Sequence, residues 1–138
     1  MTFKCTDAGR STSKRPRQTN DCTVRALALA SGKAYDETSD YLKMMGRKSH
    51  RPFAIAHLLN TQINNHVNIL GLRFIRHSFP AVKGQKRMNV GRFLAEYNRE
   101  RFIIELAKHV VYVADGIYYD DYQYDPSRCV YVAWQVVT

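Results

Sequence analysis

The stretch Gln18-Thr-Asn-Asp-Cys22-Thr-Val-Arg-Ala-Leu-Ala-Leu-Ala-Ser-Gly32 predicts a short polar loop that leads directly into a helix. Asn20 and Asp21 are favoured helix N-cap residues, and Gly32 is a favoured helix terminator. Cys22 then lies in the first turn, where unpaired backbone N–H groups and the helix dipole favour a thiolate. Because the thiolate is the nucleophilic form, Cys22 is a candidate nucleophile; the alternative is a small buried apolar residue.

The composition is that of one globular domain with a strongly basic surface. The chain has 138 residues, 45% of them hydrophobic, which is enough to bury a core without disulfides or metals. Its 21 Lys and Arg against 12 Asp and Glu give a formal net charge of +9. This charge favours an acidic protein or peptide as partner, with nucleic acid as a second candidate. No membrane association is expected, because no apolar run approaches the roughly 20 residues of a membrane-spanning helix.

The cysteines and histidines predict no metal site. The three cysteines cannot all pair within one chain, and their spacing matches no zinc pattern. The histidines other than His109 show no paired spacing for a metal. We therefore expect no cofactor and no metal. Residues 1–17 lack the apolar core of a secretory signal, so a reducing cytoplasm is the expected setting.

The order of the predicted elements gives an α+β domain. Residues 1–17 carry five basic residues among Gly, Ser and Pro and predict an extended basic arm largely without regular structure, followed by a single domain at 18–138. Helices are predicted from Cys22 to Ser31-Gly32 and at 34–45, 52–61 and 90–97, with a turn at Asn64-Asn65 and a strand at 67–75. After Asn98, four β-branched and aromatic segments predict a C-terminal antiparallel sheet: 101–107, 109–114, 117–124 and 128–134.

A hairpin brings a histidine and a carboxylate together. Asp115-Gly116 is a preferred type I′ turn, and with a two-residue loop Ala114 pairs with Ile117. His109 and Asp120 are then diagonal neighbours on one face, about 7–8 Å apart at their α-carbons, within reach for a hydrogen bond. A one-residue slip would reverse every face, so this placement depends on the register.

Together these residues offer the parts of nucleophilic thiol catalysis. His109 can take the thiol proton, and Asp120 can orient the imidazole. Gln18, four residues before Cys22, can direct its amide at a developing oxyanion. The alternatives are a structural strand histidine and a solvated hairpin carboxylate, with Asp115 as a second candidate for the orienting role.

The local sequences resemble a known family. The stretches Asn20–Ala28, Gly32–Glu37 and His109–Asp120 are similar to small papain-like proteins of phages and bacteria. The order Gln, Cys, His, Asp resembles that of papain-like cysteine peptidases, over about residues 18–134. The resemblance implies a papain-like fold with Cys22 as nucleophile, His109 as base, Asp120 as orienting carboxylate and Gln18 as oxyanion donor. Gln18 lies closer to the cysteine than is common in that family.

The sequence therefore predicts a cysteine hydrolase, a peptidase or isopeptidase, encoded by a phage or a bacterium and acting in the bacterial cytoplasm. The alternative is a catalytically silent basic protein on the same fold, which binds nucleic acid through the arm at 1–17 or inhibits a host defence protein. An intact Cys–His–Asp set favours the enzyme, because a pure binding protein does not need it.

Overall fold

The computed structural model describes residues 2–56, 58–59 and 68–137. Helical backbone is also found at 55–56 and 58–59, within the predicted helix 52–61. The α+β class is confirmed. The elements follow in the order β1 (Phe3–Cys5), a 3₁₀ turn (Arg10–Thr12), α1 (Cys22–Ser31), α2 (Tyr35–Met44), β2 (Arg73–Ser78), α3 (Val90–Glu96), β3 (Arg101–Leu106), β4 (His109–Ala114), β5 (Ile117–Asp120) and β6 (Val132–Val137).

The described strands form one mixed sheet in the order β1-β5-β4-β3-β6-β2. β1 runs parallel to β5, and the other neighbours are antiparallel. The antiparallel pairing predicted for the C-terminal strands is confirmed for β3, β4, β5 and β6, but the whole sheet is mixed, and both of its edge strands come from earlier in the chain. β1 and the 3₁₀ turn lie within the predicted arm at 1–17, so part of the arm has regular structure. β1 pairs with a strand that would otherwise expose its backbone groups, and Phe3 packs 6.4 Å from the Tyr118 ring.

Helices cover both faces of the sheet. The first hydrophobic cluster joins α1 and α2 to one face, and its buried members include Val24, Leu27, Tyr35, Leu42, Val110, Tyr112 and Trp134. The second cluster joins α3 to the opposite face, with Val90, Phe93, Phe102, Val113 and Tyr118. The domain thus has three layers, and α1 packs against β4 and β3. This packing sets the start of α1 beside the start of β4.

The largest local difference lies before β2. The predicted strand at 67–75 is observed at Arg73–Ser78. Leu70 and Gly71 have φ angles of 53° and 80°, and Ile69 and Leu72 exchange two backbone hydrogen bonds of 3.0 and 2.9 Å. The chain therefore turns where the β-branched pattern predicts a strand. Residue 67, the Asn64-Asn65 turn and the predicted helix end near residue 61 lie outside the described residues.

The turn of the β4–β5 hairpin and the N-cap of α3 agree with the prediction. Asp115 and Gly116 both have positive φ, 53° and 76°, as a type I′ turn requires, and Ala114 pairs with Ile117. Asn89 caps α3 by accepting a 2.8 Å hydrogen bond from the Arg92 backbone N–H. The strand predicted at 117–124 is shorter in the structure and ends at Asp120, and the strand predicted at 128–134 is displaced to Val132–Val137.

Candidate active site

Cys22 is the first residue of α1 and faces the start of β4. Asp21 holds the N-cap position, but its side chain makes no capping hydrogen bond. Among the described residues, the backbone N–H groups of Cys22 and Thr23 donate to no acceptor. The helix start therefore presents open N–H groups and its positive dipole end beside the thiol.

The predicted His–carboxylate contact is confirmed. His109 Nε2 lies 2.6 Å from Asp120 Oδ2, and the two side chains are 9% and 1% exposed. With the carboxylate on Nε2, Nδ1 is the ring nitrogen left for the thiol. Asp115 stays in the turn, where its backbone N–H donates to the Glu100 carbonyl. Asp120, not Asp115, is the carboxylate that contacts the imidazole.

The electrostatics of the site favour a thiolate–imidazolium pair. Burial raises the pKa of the Cys22 thiol, but hydrogen bonding with His109 and with the Val110 backbone, together with the charge of His109, brings it below its ordinary value. Burial lowers the pKa of His109, yet Asp120 and Cys22 outweigh this and raise it to about 9. A proton transferred from Cys22 to His109 is therefore stabilised on the ring.

Asp120 is held by a second cation that the sequence analysis missed. Arg25 on α1 donates from Nη1 to Asp120 Oδ1 and from Nε to Asp21 Oδ1, 3.1 Å away. The Asp121 backbone N–H also donates to Asp120 Oδ1, at 2.8 Å. Burial raises the pKa of Asp120, but His109 and Arg25 lower it to about 2. The i,i+4 spacing of Asp21 and Arg25 on a helix is the sequence signal that points to half of this bridge.

The buried ion network extends into the predicted arm. Arg10 donates to both oxygens of Asp21, at 3.2 and 3.1 Å, and the Tyr35 hydroxyl donates to Asp21 Oδ2 at 2.7 Å. Asp21 is thereby occupied by three side chains from separate elements. This explains why its carboxylate leaves the N–H groups at the start of α1 uncapped.

This geometry predicts a severe effect for Asp120→Asn. Two donors, the Arg25 guanidinium and the Asp121 N–H, require an acceptor at Oδ1. The Asn oxygen is therefore expected at that position, with the amide nitrogen donating to His109 Nε2. The neutral imidazole then carries its proton on Nδ1 and cannot accept the thiol proton. We expect an activity loss on the order of 10⁴-fold, as for a wrong histidine tautomer in other triads.

Two measurements test whether the wrong tautomer of His109 causes this loss: the dependence of activity on pH, and the activity of a double variant. Without the carboxylate the pKa of His109 falls from about 9, so the alkaline limb of the profile should move to lower pH. Adding Arg25→Gln to Asp120→Asn removes one of these two donors and supplies a side chain that can also accept. The Asp121 N–H still favours the oxygen, so only part of the molecules should flip the amide, and activity should rise partly above that of the single variant. A loss below tenfold in Asp120→Asn would contradict the tautomer argument.

The structure does not bring Gln18 to the thiol. Its Oε1 accepts from the His50 backbone N–H at 2.6 Å and from Arg47 Nη2 at 3.3 Å, and its Nε2 donates to Ser49 Oγ. Gln18 does not line the cleft at Cys22. Its position only four residues before Cys22 ties its amide to the loop that follows α2, so the structure gives no support to the predicted oxyanion role.

Two residues have roles at the loop before Cys22 that the sequence did not predict: Asn20, which lies in the loop, and Arg47, which binds to it. Asn20 has a φ of 52°, lines the cleft and donates from Nδ2 to the His50 carbonyl at 2.9 Å. Arg47 is 6% exposed and donates from Nη2 to Gln18 Oε1 and to the carbonyls of Thr19 and Asn20. The guanidinium therefore fixes the three residues that lead to the N-cap.

A cleft of about 560 Å³ opens at the thiol and the imidazole. It is lined by Asn20, Cys22, Thr23, Pro52, Phe53, Ala54, Ile55, Glu105, Leu106, Lys108, His109 and Val110. The lining is mainly apolar, with few polar groups apart from the Cys–His pair, as is common for substrate sites. The two proposed reacting side chains are thus accessible from one groove.

The remaining cysteines and histidines form no second centre in the described residues. Cys5, Cys22 and Cys129 are all free, and no group of three or more His, Cys, Asp or Glu in the described ranges is arranged to hold a metal. His50 and His77 bond to Thr19 and Gln135, whereas residues 57 and 66 lie outside the described ranges. Over the part of the chain that the structure describes, no helix is long and apolar enough to cross a membrane.

No family model, curated protein or solved structure matches the chain. The papain-like relationship therefore stays a prediction. The arrangement itself, a thiol at a helix start, an imidazole beside it and a buried carboxylate behind the imidazole, can carry out thiolate addition to a carbonyl group.

Proposed function

We propose that the protein is a cysteine hydrolase that cleaves peptide or isopeptide bonds through Cys22, His109 and Asp120. The observation that carries the proposal is the imidazole of His109, which is held at 2.6 Å by a carboxylate that is 1% exposed and lines the same cleft as the thiol at the start of α1. A structural histidine does not require a cleft that is open both to its ring and to a thiol.

In the first half of the reaction, the Cys22 proton moves to His109 Nδ1 and the thiolate attacks the substrate carbonyl carbon. The carbonyl electrons become an oxyanion, which the open N–H groups of Cys22 and Thr23 can bind. As the oxyanion collapses, the C–N bond breaks and the imidazolium gives its proton to the leaving amine. The product of this half is a thioester on Cys22.

Water completes the cycle. His109 takes a proton from the attacking water, the thioester carbon–sulfur bond breaks, and the acid product leaves while Cys22 regains its proton. Throughout, Asp120 keeps the Nε2 proton in place and stabilises the imidazolium, and Arg25 keeps Asp120 ionised. The reaction requires no metal or redox partner.

The net charge and the free cysteines support the proposed substrate class and cellular compartment. The net charge of +9 favours an acidic protein or peptide as substrate. Three free cysteines suit a reducing compartment, so we place the activity in the bacterial cytoplasm, in a phage-infected host if the gene is a phage gene.

A mixed peptide library tests the proposal. The chain is incubated with the library, and mass spectrometry reads both new peptide termini and, after an acid quench, acyl adducts on Cys22. We expect cleaved products and a thioester with the wild-type chain and neither with Cys22→Ala. Cleavage that persists in a folded Cys22→Ala variant would overturn the proposal, as would the absence of products and adducts across peptide and isopeptide substrates.

The excess of basic residues favours a nucleic-acid-binding protein as the second candidate. Lys4, Lys14 and Arg17 of the arm are exposed, whereas Arg10 and Arg15 pair with Asp21 and Asp36. Binding through the exposed three should weaken with salt, with a log–log slope near −0.9 per duplex phosphate neutralised. Replacing these three with Gln is the suitable test, because deleting the arm would also remove β1 and the Arg10 ion pair.

A further inference from the structure

Glu105 on β3 is the only acidic residue among the described residues that line the cleft at Cys22. Its β3 position pairs with Val110 on one side and with Val132 on the other. Both neighbours belong to, or pack against, the hydrophobic cluster beneath α1. The carboxylate is therefore set among apolar side chains, in the same groove as the proposed nucleophile.

One oxygen of this carboxylate is fixed, whereas the other has no partner among the described residues. The Nε1 of Trp134, a residue that is 0% exposed, donates to Glu105 Oε2 at 2.6 Å. Within the described part of the chain, Oε1 accepts no hydrogen bond and no cation lies within ion-pair distance. Oε1 is not among the buried unpartnered side-chain atoms of the described residues, so it is open to the cleft and can accept a charge-assisted hydrogen bond from a cationic ligand group.

Lys108 does not supply the missing charge. It lines the same cleft, but it is exposed and forms no ion pair with Glu105 in the described structure. An exposed lysine is mobile and screened by salt, so its effect on a bound group is small. The anchored carboxylate is the stronger determinant of charge in the cleft.

The other residues that line the cleft indicate which kind of side chain binds next to the cationic one. Phe53, Ile55, Leu106 and Val110 line the cleft and fit an apolar side chain. We propose that Glu105 is a specificity residue, and that the cleft takes a peptide segment in which a Lys or Arg side chain lies next to an apolar residue. This inference rests on the proposed function, because it names the substrate class of that site. The net charge of +9 acts at longer range on the whole partner, whereas Glu105 acts on one side chain.

Peptidyl electrophiles that alkylate cysteine test this proposal. The probes are acetyl-dipeptidyl acyloxymethyl ketones that pair Leu with Lys, Gln or Glu, in both orders, with iodoacetamide as a reference that has no side chain. The readout is the rate of Cys22 labelling, mapped by mass spectrometry. In one of the two orders we expect the Lys probe to react at least about tenfold faster than the Gln probe, as a charge-assisted hydrogen bond predicts, and the Glu probe to react slowest.

Two variants separate charge from structure. Glu105→Gln keeps an amide oxygen that can accept from Trp134 Nε1, so it should fold normally and lose the preference for Lys over Gln, with each probe rate divided by the variant's own iodoacetamide rate. Lys108→Ala is the matched control and should keep the preference. Equal rates of the Lys and Gln probes in the wild-type chain, with normal iodoacetamide labelling of Cys22, would overturn the role of Glu105 alone. Absence of preferential iodoacetamide labelling at Cys22 would overturn the proposed function itself.

Discussion

Cys22→Ala is expected to remove the proposed hydrolytic activity completely. Among the described residues that line the cleft, Cys22 is the only thiol, so the covalent step is lost and not merely slowed. The expected loss is on the order of 10⁶-fold, the scale observed when the nucleophile of a catalytic triad is removed. Steady-state cleavage of the best substrate from the peptide library measures this loss.

The matched controls for this variant are the other two free cysteines. Cys5 is exposed and Cys129 is partly buried, and neither lines the cleft. Cys5→Ala and Cys129→Ala should therefore cleave substrate at the wild-type rate. If Cys22→Ala stays active while Cys5→Ala does not, the nucleophile has been assigned to the wrong residue.

His109→Ala is expected to cost nearly as much as the loss of the thiol. The variant lacks the base for Cys22 and the acid for the leaving amine. It also removes the hydrogen bond and the charge that lower the pKa of Cys22, so that pKa should rise and the thiolate population at neutral pH should fall. Activity against pH and the thiol titration of Cys22 measure the two effects separately.

Added imidazole gives a direct control for His109→Ala. The variant leaves a space beside Asp120 and next to the cleft, and free imidazole can occupy it and act as a base. Activity should therefore rise with imidazole concentration in His109→Ala, but not in Cys22→Ala. Unchanged activity of a folded His109→Ala variant would show that the ring only stabilises the strand.

Local signals in the sequence were sufficient for the central pair of elements. Asp115-Gly116 has a strong intrinsic preference for a type I′ turn, so the register of β4 and β5 and the contact between His109 and Asp120 follow from it. The start of α1 at Cys22 follows from Asp21 and from the apolar pattern after it. Each of these predictions depends on residues that are near in sequence.

Long-range contacts were beyond such reasoning. The bridge from Asp120 to Arg25 joins residues that are 95 positions apart, and β1 pairs with β5 across more than a hundred residues. Neither pairing changes the local pattern of the sequence. The arm was accordingly predicted only as extended and basic, whereas its Arg10 is part of the buried network around Asp21.

Residue type and spacing were not sufficient to predict which amide side chain lies in the cleft. An amide before a cysteine predicts an oxyanion donor, yet Gln18 bonds to Ser49, His50 and Arg47, whereas Asn20 lines the cleft. The left-handed backbone at Asn20 changes the direction of the chain between these residues, which residue type and spacing do not reveal.

The most direct test of the account is the pH dependence of thiol alkylation, with each modified cysteine mapped by mass spectrometry. Cys5, whose thiol donates to the Asp121 carbonyl at 3.7 Å, is the internal reference. We expect iodoacetamide to label Cys22 well below pH ~8.5, the range in which an ordinary thiol ionises, and at pH 6 much faster than Cys5. His109→Ala should remove this advantage. Equal labelling of Cys5 and Cys22 at pH 6 in the wild-type chain would contradict the assignment of Cys22 as the nucleophile.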